Sequence, residues 1–146
     1  MGIIEQLWAD GEMPFVDGLY RPDDTALEVD VPGPGAYHHD AGQPIPFGFG
    51  EPFDPLEALR ECGATTVDPY FEEPLPDGSG LLLGGGSGMG NIGYLARLDP
   101  DRSLRWVMSL FHSNPFIGAR FEGMTVVCTN DWHNRLTLDL AHPALC

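Results

Sequence analysis

Residues 92–111, I-G-Y-L-A-R-L-D-P-D-R-S-L-R-W-V-M-S-L-F, contain the pattern that decides the fold of this 146-residue chain. Two apolar runs, at 92–98 and 104–111, flank the polar sequence D-P-D-R-S at 99–103. An Asp-Pro pair starts a turn, because the Asp side chain bonds the following backbone and proline fixes φ. Large apolar residues occupy every second position from Leu104 to Leu110, as in a strand with one buried face. The stretch therefore predicts an antiparallel β-hairpin.

Similar patterns surround this hairpin. Turn residues such as S-N-P at 113–115 and E-G at 122–123 separate short runs of alternating apolar residues, which is typical of consecutive antiparallel strands. The additional predicted strands are 81–83, 116–121, 124–129 and 135–140. Together with the hairpin they predict an antiparallel β-meander of five to six strands, mostly within residues 80–140.

Three regular elements are predicted nearer the N-terminus. The spacing of apolar residues at 3–9 predicts a short helix, and T-A-L-E-V-D-V at 25–31 predicts a half-buried strand. A second helix is predicted at 54–62, because Asp54 is a good N-cap, Pro55 suits the first helical position and Gly63 suits the stop. Strands with one or two short helices on a face give the fold class α+β.

The charge of the chain lies entirely in its first half. Residues 1–77 hold 17 acidic residues and two arginines, whereas residues 78–146 hold five of each, and the formal net charge is −15. Eleven of the 14 prolines also lie at or before position 76. The length suits one domain, residues 1–146, with an acidic, loop-rich half at 1–77 and an antiparallel sheet half at 78–146.

The basic residues are all arginines, and this excludes several functions. Without lysine the chain has no Walker A phosphate loop, no kinase-type ATP site and no Schiff-base chemistry. A charge of −15 repels nucleic acid and anionic membranes, so neither is expected as a direct partner. No cofactor is predicted.

The sequence also bears on the compartment. The N-terminus has no basic region followed by an apolar run, and no apolar stretch approaches the ~20 residues that a membrane span needs. The three cysteines, Cys62, Cys128 and Cys146, form no C-x-x-C pair. We therefore expect a reduced, cytoplasmic protein.

A glycine-rich stretch, G-G-G-S-G-M-G-N-I-G, runs from Gly84 to Gly93 and contains a G-x-G-x-x-G match. A dinucleotide site requires that loop to open a helix, but the residues that follow have a strand pattern. The favoured interpretation is a flexible hairpin connection. The alternative is a small enzyme or ligand-binding domain in which this loop works with His112, Asp131 or His133.

Other candidate catalytic and metal sites are weak. Cys128 lies near Asp131 and His133, but it shares a strand face with apolar residues and is expected to be buried and inert. The pair His38-His39 with Asp40 lacks the spacing of a metal-binding motif, so a solvated loop is favoured. No catalytic residue and no metal ligand is predicted.

The most unusual stretch is D-P-Y-F-E-E-P-L-P-D at 68–77, where two adjacent aromatics lie among four carboxylates on a proline-stiffened loop. The aromatics either anchor this loop to the core or, ringed by acids, bind a basic partner. The helix at 54–62 presents a second acidic stripe. The predicted partner-binding residues are Asp54, Glu57, Glu61, Tyr70, Phe71, Glu72, Glu73 and Asp77.

The hairpin segment L-D-P-D-R-S-L-R-W-V-M-S-L-F-H-S-N-P-F at 98–116 resembles a hairpin of small bacterial immunity-type proteins. The acidic composition is similar to that of inhibitors that neutralise nuclease or deaminase toxins. The resemblance implies a toxin inhibitor, and it transfers no functional residue.

The sequence thus predicts a non-enzymatic acidic protein that occludes the basic active site of a toxin or nucleic-acid enzyme. It would act by steric plugging with electrostatic steering, its carboxylates replacing the phosphates of the substrate. Two alternatives stay open: the small enzyme or ligand-binding domain described above, and a structural subunit whose acidic half packs in an assembly.

Overall fold

The structure, a computed structural model, describes residues 1–31, 42–88, 92–111 and 113–146. Antiparallel β-sheet dominates these ranges, with two short helices, which is consistent with the α+β class. The elements are α1 Ile3–Ala9, β1 Glu12–Pro14, β2 Gly18–Tyr20, β3 Ala26–Asp30, β4 Gly48–Phe53, α2 Pro55–Cys62, β5 Ala64–Pro74, β6 Leu81–Ser87, β7 Ile92–Leu98, β8 Leu104–Leu110, β9 Phe116–Glu122, β10 Thr125–Asn130 and β11 Arg135–Asp139.

The strands form two sheets instead of one meander. The larger sheet has eight strands in the order β1-β5-β6-β7-β8-β2-β3-β4, and the smaller has three in the order β11-β10-β9. The prediction of five to six strands was therefore wrong. It missed β1, β2, β4 and β5, because the first two have only three residues each and the other two contain the prolines that had indicated loops.

The larger sheet is rolled. Residues 15–17 join β1 to β2, so Pro14 and Gly18 lie at most about 14 Å apart. These strands are five positions apart in the sheet order, which in a flat sheet would separate them by about 24 Å. The sheet must therefore curl until β1 and β2 approach each other, and β1 does contact β8, the strand beside β2.

Each side of the rolled sheet carries a hydrophobic core. The concave side is filled by residues from β1, β2 and β6–β8 together with Ile4 of α1, and it includes Tyr20 and Tyr94. The convex side packs on the small sheet, with Trp106 and Met108 of β8 facing Val126 and Leu138. Strand β7 is buried over its whole length because both of its faces are covered.

The predicted hairpin at 92–111 is confirmed as β7 and β8, with Tyr94 opposite Ser109 and Arg97 opposite Trp106. The register shifts between Arg97 and Leu98. Leu104, predicted on the same face as Trp106, packs instead in the concave core.

Both predicted helices are confirmed. The Asp54 carboxylate caps α2 by accepting the backbone N–H of Leu56 at 2.9 Å, and Gly63 ends it with a φ of 74°. For α1, Asp24 lies far away in sequence and accepts the backbone N–H of Ile4 at 2.9 Å. Cys62, a possible core residue of α2 in the sequence pattern, is exposed.

The C-terminal segment 140–146 is held against the convex core by polar side chains. The buried guanidinium of Arg97 donates to the carbonyl oxygen of Leu145 at 2.9 Å and to that of Leu140 at 3.3 Å. The indole N–H of Trp106 donates to the Leu145 carbonyl at 3.0 Å, and Arg21 donates to the Ala144 carbonyl. Burial lowers the pKa of Arg97.

Neither helix in the described ranges is long and apolar enough to cross a membrane.

Candidate protein-binding surface

The predicted acidic stripe lies on α2. Glu57 and Glu61 are exposed, and the opposite side of the helix places Leu59 against the concave core. Asp54 is exposed too, but its carboxylate is engaged as the N-cap. Glu57 and Glu61 therefore differ from Asp54, because the helix itself gives only Asp54 a structural role.

The acidic stretch 68–77, predicted as a loop, belongs mostly to a strand. Residues 68–74 are the second part of β5 and pair with β6, and only 75–80 form the turn. Strand β1 pairs with β5 from Ala64 to Thr66, and Val67 donates its N–H to the carbonyl of Gly11 at 2.9 Å, so the other edge of β5 is open in the sheet beyond Val67. Proline and charged residues are the usual occupants of such an edge, because they discourage pairing with another chain.

Tyr70 and Phe71 have different roles, although they are adjacent. A register shift between Pro69 and Phe71 gives β5 a bulge at this point. Phe71 packs against the convex core, where its ring lies over Gly84. Tyr70 is 52% exposed. Phe71 is thus the anchor of the strand, and Tyr70 is the aromatic available for a contact.

Several acids of this region have a structural partner. Glu72 forms an ion pair with Arg102 at 2.6 Å. Asp77 accepts both the backbone N–H and the hydroxyl of Ser79, at 2.9 and 2.5 Å, and these bonds lower the pKa of Asp77. Glu73 is exposed, and no side-chain bond to it occurs within the described part of the chain.

Two other turns repeat the bonding of Asp77. Asp101 accepts the backbone N–H and the hydroxyl of Ser103 at 3.0 and 2.6 Å, and Asp23 does the same with Thr25 at 3.1 and 2.6 Å. In both cases the hydrogen bonds from the hydroxyl and backbone lower the pKa of the aspartate. The hydrogen bonds in these D-x-S and D-x-T turns give three carboxylates a role within the chain, so no partner protein is needed to explain their presence.

The arginines neutralise few of the remaining acids. Within the described ranges two side-chain ion pairs occur, Arg102 with Glu72 and Arg105 with Asp99, both at 2.6 Å. Arg21, Arg97 and Arg135 donate instead to backbone carbonyl oxygens. Most carboxylates of the acidic half are therefore displayed to solvent without a cationic partner from the chain itself.

The structure does not gather the predicted residues into one compact cluster. Asp54, Glu57 and Glu61 precede β5, whereas Glu72, Glu73 and Asp77 lie at or beyond its far end. The ten residue steps from Ala64 to Pro74 span about 33 Å. The two groups are joined along the open edge by Asp68 and Tyr70, both exposed. We call this line the acidic ridge: Glu57, Glu61, Asp68, Tyr70, Glu72 and Glu73.

Asp68 was not among the predicted residues. It lies in β5 opposite Gly86 and is exposed midway between the two groups. The signal was present in the sequence, because Asp68 begins the acidic stretch, but its position between the groups follows from the strand.

The glycine-rich stretch has a packing explanation. Gly84–Gly86 belong to β6 and not to a flexible connection. A Cβ at Gly85 would lie 2.0 Å from the carbonyl oxygen of Asp68, and one at Gly86 would lie 2.7 Å from the ring of Pro115. At Gly93 it would lie 2.6 Å from the carbonyl oxygen of Asn114. These glycines allow the bulged β5 and the segment leading into β9 to approach β6 and β7 closely.

The candidate residues Cys128, Asp131 and His133 differ in burial. Cys128 is buried as predicted, and burial raises the pKa of its thiol to about 12, which keeps it protonated. Asp131 and His133 are exposed in the turn between β10 and β11. His112 lies outside the described residues.

No group of three or more potential metal-ligating side chains occurs in the ranges that the structure describes. His38, His39 and Asp40 lie outside these ranges.

No protein-family model, curated protein or solved structure matches the chain.

Proposed function

We propose that this chain is a non-enzymatic acidic binding protein whose ridge covers a basic surface of a partner protein, in the manner of toxin-inhibiting immunity proteins. One observation carries the proposal. Among the described residues, three of the seven arginines donate to backbone carbonyls and two form ion pairs with carboxylates, so most carboxylates of the acidic half remain charged at the surface.

Surplus charge has a stability cost, because like charges repel one another in the compact state. A net charge of −15 exceeds the ~2–8 that suffices for the solubility of a small domain. The benefit is in association, since a surface of one sign steers an opposite partner and raises the rate of encounter by ~10–10³.

The dimensions of the ridge suit a protein partner. A standard interface buries about 800 Å² on each side, a patch about 30 Å across. The part of the ridge in β5, from Asp68 to Glu73, runs for about 17 Å with Tyr70 near its middle, and Glu57 and Glu61 on α2 precede the strand. A half-exposed tyrosine at the centre of a charged rim is the arrangement expected of a binding hot spot.

The proposed partner carries a basic cleft, such as the active site of a nuclease or a deaminase toxin, and the ridge occupies the place of the phosphates. A cytoplasmic location agrees with the free state of Cys62, Cys128 and Cys146.

Charge reversal on the ridge tests the proposal. A triple variant, Glu57→Arg, Glu61→Arg and Glu73→Arg, is compared with a control of the same net charge, Asp30→Arg, Glu122→Arg and Asp131→Arg. All six positions are exposed. The readouts are binding to a fluorescent polyarginine peptide at low salt and capture of a basic protein from the native host, eluted with a salt gradient.

We expect both variants to lose similar affinity for polyarginine, which responds to net charge, while only the ridge variant loses the captured protein. Circular dichroism establishes that both variants are folded. Equal capture by wild type and ridge variant, or equal loss in both variants, would contradict the proposed site.

A further inference from the structure

A cavity of about 320 Å³ opens on the side of the molecule where the two sheets end. Residues 42–45 run beside the start of β11, where Ile45 donates its N–H to the carbonyl of Arg135 at 2.7 Å. The chain then crosses to β4, at the edge of the large sheet. The cavity lies at this crossing, between Phe47 and Phe49 on one side and the end of β11 on the other.

Aromatic rings form one wall of the cavity. The rings of Phe47 and Phe49 are 5.0 Å apart at an interplanar angle of 78°, and they therefore make a corner. The imidazole of His142 continues the wall, 5.1 Å from the Phe49 ring at an angle of 33°. Leu138 and Leu145, which belong to the convex core, also line the cavity.

An acidic residue is part of the cavity lining. Asp139 lines the cavity and uses its Oδ1 to accept the backbone N–H of Ala141 at 3.0 Å. No hydrogen bond to its Oδ2 occurs within the described part of the chain. The Nδ1 of His142 accepts the backbone N–H of Ala144 at 3.0 Å, and this bond orients the imidazole.

We propose that this cavity binds an organic cation, an alkylammonium group that sits in the corner of Phe47 and Phe49 with its charge toward Asp139. Faces of aromatic rings attract cations through the ring quadrupole, and aromatic walls with a nearby carboxylate are suited to ammonium groups. The net charge of −15 further favours a cation over an anion. The cavity volume lies at the lower end of the range for small-molecule sites, so the ligand is small.

This site is independent of the acidic ridge. The ridge follows β5, near one edge of the large sheet, whereas the cavity borders β4 at the opposite edge. Failure of one proposal therefore leaves the other intact.

The test uses choline and its neutral isostere, in which carbon replaces the quaternary nitrogen. Binding is followed by NMR through the ring protons of Phe47, Phe49 and His142. We expect choline to shift these signals with a Kd about tenfold lower than that of the isostere. Equal affinity for both compounds, or no shift with either, would overturn the proposal.

Two variants locate the site. Asp139→Asn keeps the acceptor for Ala141 but removes the charge, and we expect about fivefold weaker choline binding. The matched control is Asp131→Asn, an exposed aspartate in the adjacent turn of the same sheet, which should bind as wild type does. Equal weakening in both variants would assign the effect to net charge and reject the site.

A third arm identifies the source of the cation. A short peptide with a trimethyllysine is titrated under the same conditions. If the peptide binds more tightly than choline, the natural cation is a side chain of another protein. If the peptide binds more weakly or does not bind, the natural cation is a free small molecule. For either result to count, the NMR signals of Phe47 and Phe49 must shift when the cationic compound is added.

Discussion

Gly85 shows at the scale of one residue why the glycine-rich stretch exists. A dinucleotide loop requires glycine for its approach to a phosphate, but here the approach is to the chain itself, where a Cβ would lie 2.0 Å from the Asp68 carbonyl. The motif in the sequence does not distinguish these cases. The structure distinguishes the two cases, because the bulge in β5 brings the Asp68 carbonyl over Gly85.

We predict that Gly85→Ala lowers the free energy of unfolding by about 2–3 kcal/mol, because backbone on two strands must shift. Gly118→Ala in β9 is the matched control, since no atom lies within 4 Å of its Cβ position, and its effect should stay within about 0.5 kcal/mol. Urea denaturation measures both. Equal effects would show that the close approach to Asp68 is not the reason for the glycine.

The role of each acid was also only partly readable from the sequence. The pattern D-x-S or D-x-T at Asp23, Asp77 and Asp101 can be recognised as a turn. The ion pair of Glu72 with Arg102 joins residues 30 positions apart, and no local pattern predicts it. The sequence predicts Asp77 as a partner-binding residue. Its hydrogen bonds to Ser79 give it a structural role in the turn.

At the scale of elements, α2 and the hairpin of β7 and β8 were predictable because their signals are local. Caps, turn residues and alternation lie within a dozen positions. Strand β5 was missed because its local signal is that of a loop: Pro69, Pro74 and three acids. Proline is acceptable in a strand mainly at a sheet edge or a bulge, and edge position is a property of the whole sheet.

The open edge of β5 leads to a prediction about association. Glu73→Val removes a charge from this edge and should promote dimers or aggregates, because it leaves an apolar strand edge available for pairing. Thr125→Val is the control: it also adds a valine at an exposed strand position, but in β10, where Thr125 pairs with Glu122 of β9 and with Asp139 of β11. Size-exclusion chromatography with light scattering distinguishes them. Association of both variants to the same extent would mean that added hydrophobicity, and not the open edge, is responsible.

At the scale of the whole molecule, the rolled sheet and its strand order were beyond sequence reasoning. The pairing of β2 with β8 joins residues about 90 positions apart, and β1 pairs with β5 across α2. The 2-residue alternation of β10 and β11 predicted their buried faces correctly, but it contains no information on which faces meet. Gly86 and Gly93 leave room for Pro115 and Asn114, which lead into the small sheet.

The pH dependence of stability has two opposing causes. Hydrogen bonds depress the pKa values of Asp23, Asp77 and Asp101 below the ordinary 3.8, so their contribution is complete above that pH and is lost as the pH falls through the lower folded-state values. Between pH 7 and the isoelectric point near 4.3, protonation of other acids relieves repulsion. We expect the Tm to rise from pH 7 to about 5 and to fall below about 3.8.

The double variant Asp77→Asn with Asp101→Asn isolates the turn contribution. Compared with the equally charged control Asp30→Asn with Asp131→Asn, it should be less stable at neutral pH, and the difference should disappear in acid. A difference that persists at the lowest pH would show that the turns need the side-chain shape and not its charge.

The most direct measurement is the Tm as a function of salt concentration for a variant in which four ridge carboxylates are made neutral. The four substitutions are Glu57→Gln, Glu61→Gln, Asp68→Asn and Glu73→Gln. If those carboxylates are surplus to folding, this variant has a higher Tm than wild type at low salt, and the difference shrinks at high salt as repulsion is screened. A lower Tm at low salt would mean that the ridge acids stabilise the fold, and it would contradict their display for a cationic partner.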